Sequence, residues 1–135
     1  MIKYIYITLL LLPNIAIPKL HGYSPNPIIK AVYKLKPSIN HIEAKTIAKA
    51  IGQCYNSTRT DWRTLLSITY IESHLDRKAV RKNNGKITDY GIAQINWINV
   101  KQYHLNKHKL FDIEYNIKAA CNIITDIKKI KHNCI

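Results

Sequence analysis

The sequence predicts one mainly α domain (α+β) with a small β-hairpin, and three observations predict it. Apolar residues recur at helical spacing over Trp62–Ser73 and again over residues 115–131. Between these runs Asn83-Asn84-Gly85-Lys86 is a strong turn signal, and Ile87-Thr88-Asp89-Tyr90 has the β-branched and aromatic character of a short strand returning from it. The chain has 135 residues and no repeats or low-complexity linkers, enough for a single core but not for two.

Taken in order, Lys3 precedes the apolar stretch Tyr4-Ile5-Tyr6-Ile7-Thr8-Leu9-Leu10-Leu11-Leu12. Pro13 ends this stretch well short of the roughly 20 residues that a membrane span needs. Residues 1–18 therefore read as a secretory signal peptide or N-terminal anchor, with Ala16 as a cleavage point even though Asn14 departs from the small-x-small rule. A buried N-terminal helix is the other reading. Residues 19–135 are then the exported domain, in a secreted, periplasmic or virion-associated setting.

Ser24-Pro25-Asn26-Pro27 is a break that also suits a helix start, with Asn26 as cap and Pro27 as first residue of a helix through Ile28, Ile29, Val32 and Tyr33. Pro37 ends it, and Ser38 or Asn40 caps the next helix, whose end is expected near Gly52. Asn56-Ser57-Thr58 reads as the following loop, and Asp61 as the cap of the helix that starts at Trp62. After the hairpin, residues 97–101 and 115–131 have helical spacing, the latter through Ile117, Cys121, Ile124 and Ile127.

Three cysteines suit an exported domain with one disulfide: Cys54 with Cys121 ties an early helix to the late one, or Cys134 is a partner instead. No C-x-x-C spacing or Cys/His cluster points to a metal, and no cofactor is expected.

The chemistry lies in two carboxyls. Leu65, Ile68, Thr69 and Glu72 fall at i, i+3, i+4 and i+7, so Glu72 points where the core-facing residues point. A carboxyl against apolar neighbours loses solvation in its charged form and holds its proton to higher pH, as a general acid must. A Glu at a helix end whose carboxyl simply reaches water is the plainer alternative. Asp89 stands in polar surroundings, with Thr88, Asn83 and Asn96 in reach, which suits a charged carboxylate; alone, it also reads as a turn-stabilising Asp. Two carboxyls of unlike environment, within roughly 5–9 Å across a cleft, are the equipment of glycoside cleavage. Tyr90, Gln94 and Trp97 are candidate cleft contacts, with ordinary packing as the alternative for each. His74 reads as an exposed helix-end residue rather than a cleft group.

Glu72-Ser73, the Lys82-Asn83-Asn84-Gly85 turn and Asp89-Tyr90-Gly91-Ile92-Ala93-Gln94-Ile95-Asn96 resemble the lysozyme-like superfamily. Both the small lytic transglycosylases of phages and secretion systems and the animal c-type lysozymes share this pattern. The c-type resemblance runs without a gap from Glu72 to Asn96. It implies Glu72 as catalytic acid, Asp89 as second carboxylate, and Asn83 and Asn96 as amides that orient Asp89. The transglycosylase resemblance extends further, through Ile42-Glu43-Ala44-Lys45-Thr46-Ile47-Ala48-Lys49-Ala50-Ile51 and through Leu110-Phe111-Asp112 with Asn116-Ile117-Lys118-Ala119-Ala120. It implies a lysozyme-like fold, with helices around a catalytic cleft beside the hairpin, and peptidoglycan as substrate. Such transglycosylases usually carry a later Ala-Tyr-Asn-type motif whose Tyr supports the sugar, and no such motif occurs here. Tyr103, Tyr115 or Asp89 is expected in that role.

The resemblance leaves two reactions, a transglycosylase that makes anhydro-muramic ends and a muramidase in which water completes the cleavage, plus a third option, a peptidoglycan-binding component without turnover. The catalytic set expected is Glu72 and Asp89, with Asn83, Tyr90, Gln94 and Asn96 contacting substrate. With 21 Lys and Arg against 8 Asp and Glu, the formal charge of +13 implies an anionic partner, for which the bacterial envelope is the natural candidate. Nucleic acid is the competing partner, but the basic residues are spread along the chain without a recognised binding motif. A monomer is expected, acting for a secretion apparatus or a phage particle.

Overall fold

The computed structural model describes residues 26–132; the N-terminal segment and Cys134 lie outside them. Helix α1 (Asn26–Leu35) is followed by a turn at Pro37 in which the Ile39 amide donates to the Lys36 carbonyl. Helix α2 (His41–Thr58) starts where Asn40 caps it, its side-chain oxygen accepting from the Ile42 amide at 2.8 Å. Contrary to the expected end near Gly52, α2 continues to Thr58. The Ser57 and Thr58 hydroxyls, which favour a loop in an isolated chain, here donate back to the carbonyls of Gln53 and Cys54. Burial of Ile51 and Cys54 against the rest of the core keeps this last stretch helical.

Helix α3 (Trp62–Ser73) is capped by Asp61, which accepts from the Arg63 amide at 2.9 Å. It buries Leu65, Ile68 and Thr69, the face that the spacing marks. The helix stops abruptly, because His74 and Leu75 both take left-handed backbone angles (φ 54° and 60°). The His74 amide reaches the Tyr70 carbonyl and the Leu75 amide the Thr69 carbonyl, the paired closure that satisfies a helix C-terminus. Leu75 is then buried, which offsets the cost of its backbone conformation. Glu72 consequently lies in the last turn, on the inward face and next to the point where the chain leaves.

The hairpin is part of a three-stranded antiparallel sheet, one strand more than the sequence pattern predicts. Strand β1 (Val80–Asn83) pairs with β2 (Lys86–Tyr90) around an Asn84-Gly85 turn in which both residues have positive φ. The register steps from Arg81 opposite Asp89 to Lys82 opposite Ile87, leaving Thr88 as a bulged residue. Strand β3 (Ile95–Asn96) returns beside β2, with Asp89 opposite Asn96. Two residues are too few for an alternating pattern, so this strand has no signature in the sequence.

Asn96 then caps the short helix α4 (Trp97–Gln102), and a 3-10 turn (Lys109–Phe111) leads into α5 (Ile113–His132). Helix α5 packs on α2, and the core gathers Ile28, Ile47, Ile51, Leu65, Ile92, Leu110 and Ile117. No helix of the described residues is long and apolar enough to cross a membrane.

Cys54 on α2 and Cys121 on α5 form a disulfide, with a Cα–Cα distance of 6.0 Å and a sequence separation of 67. Closing a loop of that length restricts the unfolded chain and stabilises the fold by about 4 kcal/mol in the chain-entropy account. The double substitution Cys54→Ser with Cys121→Ser is expected to cost about 2–4 kcal/mol, read as a lower denaturant midpoint. An unchanged midpoint would show that α2 and α5 are held by packing alone.

Candidate active site

Glu72 and Asp89 come from opposite sides of the domain's helix–sheet junction, and the local chain explains each position. Glu72 sits one residue before the end of α3, its side chain 18% exposed. Its proton affinity is raised above that of an ordinary carboxylate. Burial is the main cause, the Arg81 guanidinium opposes it, and the negative charge of Asp89 adds to it. Arg81 Nη2 stands 3.7 Å from Glu72 Oε2, a charge contact longer than a hydrogen bond.

Asp89 is 2% exposed, in the middle of the sheet. Both of its oxygens are used as acceptors: Asn96 Nδ2 donates to Oδ1 at 2.9 Å, and Thr88 Oγ1 donates to Oδ2 at 2.9 Å. The Thr88 contact follows from the bulge, which takes Thr88 out of the ladder beside its neighbour. Arg81, Asp89 and Asn96 are cross-strand partners in one row over three strands, so their side chains leave the same face of the sheet. Asn96 does double duty, because its Oδ1 accepts from the Ile98 amide at the start of α4.

A short loop, Gly91 to Gln94, joins this row to α3. Ser73 Oγ lies 2.7 Å from the Ile92 carbonyl and ties the residue after Glu72 to that loop. Gln94, with φ 48°, donates through Nε2 to the carbonyls of Ala79 and Gly91. Asn116, fully buried on α5, accepts from the Ala93 amide at 2.9 Å and donates to the carbonyls of Tyr90 at 2.8 Å and Leu110 at 2.7 Å. One side chain thereby satisfies three backbone groups around the loop. Gly91 permits the arrangement, since a Cβ there would collide with the Leu110 carbonyl oxygen and the Asn116 amide.

The structure thus brings together Glu72, Asp89 and Asn96 from the residues expected in the site. Asn83 is not with them: it is exposed at the turn, opposite Lys86, and Thr88 holds the Asp89 oxygen that Asn83 was expected to orient. A carboxylate accepts from whichever donor the bulge delivers, and Asn83 lies beyond that point in the hairpin. Tyr90 is half-buried, its ring edge-on to Phe111 and its hydroxyl donating to the Ile87 carbonyl. Gln94 uses its amide nitrogen on the backbone, the packing alternative. Tyr103 donates to Asp126 at 3.0 Å and the Tyr115 hydroxyl accepts from the Asn106 amide, so neither is bonded to Glu72 or Asp89. Trp97 is 43% exposed rather than core, with the Lys101 ammonium 4.4 Å from its ring centroid. His74 is exposed and tilted against Tyr70.

Arg81, Ser73 and Asn116 were not among the expected site residues, whereas Thr88 was expected within reach of Asp89. Ser73 adjoins Glu72 in sequence and Asn116 lies in a segment that carries the transglycosylase resemblance, both usable signals; Arg81 carries none, because it acts across a strand pair. Among the described residues, no group of three or more His, Cys, Asp or Glu side chains could hold a metal ion.

The arrangement is a partly buried carboxyl whose proton affinity is raised by burial, beside a second carboxyl held by two donors. It can deliver a proton to a bound oxygen and support positive charge next to it. A family model described as a transglycosylase SLT domain matches residues 49–133, a span that contains both carboxyls and well over half of the 135-residue chain. No curated protein and no solved structure matches the chain.

Proposed function

The chain belongs to the transglycosylase SLT domain family, and from that premise we propose that it cleaves the MurNAc-GlcNAc β-1,4 bond of peptidoglycan as a lytic transglycosylase. Glu72 gives its proton to the glycosidic oxygen as the bond to the anomeric carbon breaks. Asp89 supports the positive charge left on that carbon. The Glu72 carboxylate then takes the proton of the muramic acid's own hydroxyl as its oxygen bonds the anomeric carbon, leaving an anhydro end and a reprotonated Glu72. The observation that carries the reading is Glu72, half-buried in the last turn of α3 with its proton affinity raised by burial, inside the span that the family model matches. Segment 1–18 would export the protein, and a charge of +13 would concentrate it on the anionic envelope, where it opens the wall locally for a secretion apparatus or a phage.

A second reading is favoured by one observation: Asp89 is held by Thr88 and Asn96 close enough for its charge to act on Glu72. That pair suits a hydrolytic muramidase, in which water completes the reaction. Mass spectrometry of soluble fragments released from peptidoglycan separates the readings. Anhydro-muramic ends are the expected result, reducing muramic ends would establish the muramidase, and no fragments from folded protein would leave a binding component.

The pH profile is a further check. An acid must be protonated, so activity falls as pH rises through the Glu72 titration, and the raised proton affinity puts that fall above the ordinary carboxylate range. Arg81 lowers that affinity, so Arg81→Gln is expected to move the alkaline limb to higher pH. A limb that stays put in the variant, or a rate flat into basic pH, would remove Glu72 as the acid.

A further inference from the structure

A trough lies along α2 and α5, apart from the two carboxyls. It consists of two hollows of about 590 Å³ and 580 Å³ that adjoin at Ser57 and Asn122. Each is in the size range of natural small-ligand sites. Neither is lined by Glu72, Asp89, Asn96 or the loop from Gly91 to Gln94, so the trough is separate from the candidate active site. The bridge between Cys54 and Cys121, with Ala50 beside it, gives the first hollow an apolar wall. Because that bridge ties the two helices covalently, the trough is held in shape before a ligand arrives.

The groups that line it are free to bind. Gln53 on α2 and Asn122 on α5 flank the bridge, and among the described residues neither side-chain amide has a hydrogen-bond partner. Each offers two N–H donors and a carbonyl acceptor. The Tyr115 hydroxyl accepts from the Asn106 amide and keeps its own proton to donate, and Tyr103 lines the second hollow. Charge here runs against that of the chain. Three of the eight acidic residues, Asp112, Glu114 and Asp126, line the two hollows, against only Lys118 and Lys129 of the 21 Lys and Arg. Lys49 and Lys129 pair with Glu114 and Asp126, which leaves the trough near neutrality. A phosphate polymer or an anionic lipid surface would therefore find no excess of positive charge in it. A neutral chain of hydroxyl and acetamido groups suits it better, since amides match acetamides and the apolar side of a sugar ring packs on a phenol. At ~1.5 Å of rise per residue, the stretch of α5 from Glu114 to Lys129 runs for roughly 20 Å, room for more than one sugar.

We infer that this trough is a second binding site for the glycan strand, one that takes its N-acetylated sugars and does no chemistry. The inference rests on the proposed action on peptidoglycan and adds a hold on the strand away from the point of cleavage. A strand held there stays with the protein after a cut, so the trough favours long glycan over short fragments.

The test uses the full chain carrying Glu72→Gln, so that the ligand is not cleaved. A soluble tetramer of N-acetylglucosamine is added up to about 10 mM, tenfold above a millimolar Kd, while the side-chain amide signals of Gln53 and Asn122 are followed by NMR. Both signals are expected to shift and saturate. Adding Gln53→Ala with Asn122→Ala should weaken binding in the trough by about tenfold, read from the backbone amides of Ser57 and Lys118. Folding is spared, because both side chains are exposed and alanine favours a helix. In the chain that keeps Glu72, the same pair of substitutions should raise KM on intact peptidoglycan and leave kcat unchanged. Amide signals that do not move, a double variant that binds as tightly as its parent, or equal shifts with a glucose tetramer lacking acetamides would overturn the inference. Shifts produced by the free wall peptide and not by the sugar would overturn it too, in favour of a peptide site. Fragment release is read separately: if none occurs the cleavage reading fails by itself, and the amide titration still decides the trough.

Discussion

Glu72→Gln is expected to lose wall-lytic activity by about a thousandfold or more, while the protein still folds and still sediments with sacculi. The amide keeps the size of the side chain but has no proton to give to a glycosidic oxygen and no basicity with which to recover one. Both halves of the proposed reaction fail together, so the loss should fall on kcat and not on substrate binding. Folding should be spared, because the side chain is 18% exposed, makes one long charge contact with Arg81, and is not among the fully buried groups of the core. Release of soluble fragments over time gives the rate, and thermal melting gives the fold. A variant that cleaves at more than a tenth of the original rate would take the role away from Glu72. Asp89 would then be the carboxyl to examine next.

Gly91→Ala is expected to be strongly destabilising, costing about 3 kcal/mol or more. Two penalties add. The backbone at Gly91 has φ 72°, in the left-handed region that a residue with a Cβ enters at a cost. The added carbon would also meet the Leu110 carbonyl oxygen and the Asn116 amide, groups that are fixed rather than flexible. Asn116 cannot withdraw without releasing the carbonyls of Tyr90 and Leu110 and the amide of Ala93, all of which depend on it. The Gly91 amide itself donates to the Ala79 carbonyl at 2.8 Å, where the chain enters β1. Displacing this loop would therefore shift the sheet row that carries Asp89 against the helix end that carries Glu72, and activity should fall with stability. Chemical denaturation gives the midpoint; a value within experimental error of the unaltered protein would mean that Leu110 and Asn116 move freely, contrary to their burial.

Much of the site was legible because its signals are local. The position of Glu72 follows from the spacing of Leu65, Ile68 and Thr69, the helix start from Asp61, and the hairpin from Asn84-Gly85, each a matter of a few neighbouring residues. The partners of Asp89 were largely legible: of the three polar neighbours expected in reach, Asn96 and Thr88 hold it, whereas Asn83 stands at the turn. A bulge decides which of the three engage, and nothing in the composition of the two strands marks which residue will be left out of the ladder. Helix α2 outran its expected end for a comparable reason, since loop-forming Ser57 and Thr58 are overruled by the burial of Ile51 and Cys54.

The sequence by itself determined the mainly helical class, the caps, the hairpin turn and the two carboxyls in their unlike settings, since each depends on spacing or turn chemistry within one segment. Only the tertiary structure decided that a third strand forms, that Cys121 meets Cys54, that Asn116 braces the loop between the carboxyls, and that Arg81 reaches Glu72. The physical reason is common to all four. Hydrogen bonds, disulfides and charges act over a few ångströms in space, and the residues they join here are separated along the chain by loops whose closure is paid for by burial of the whole core.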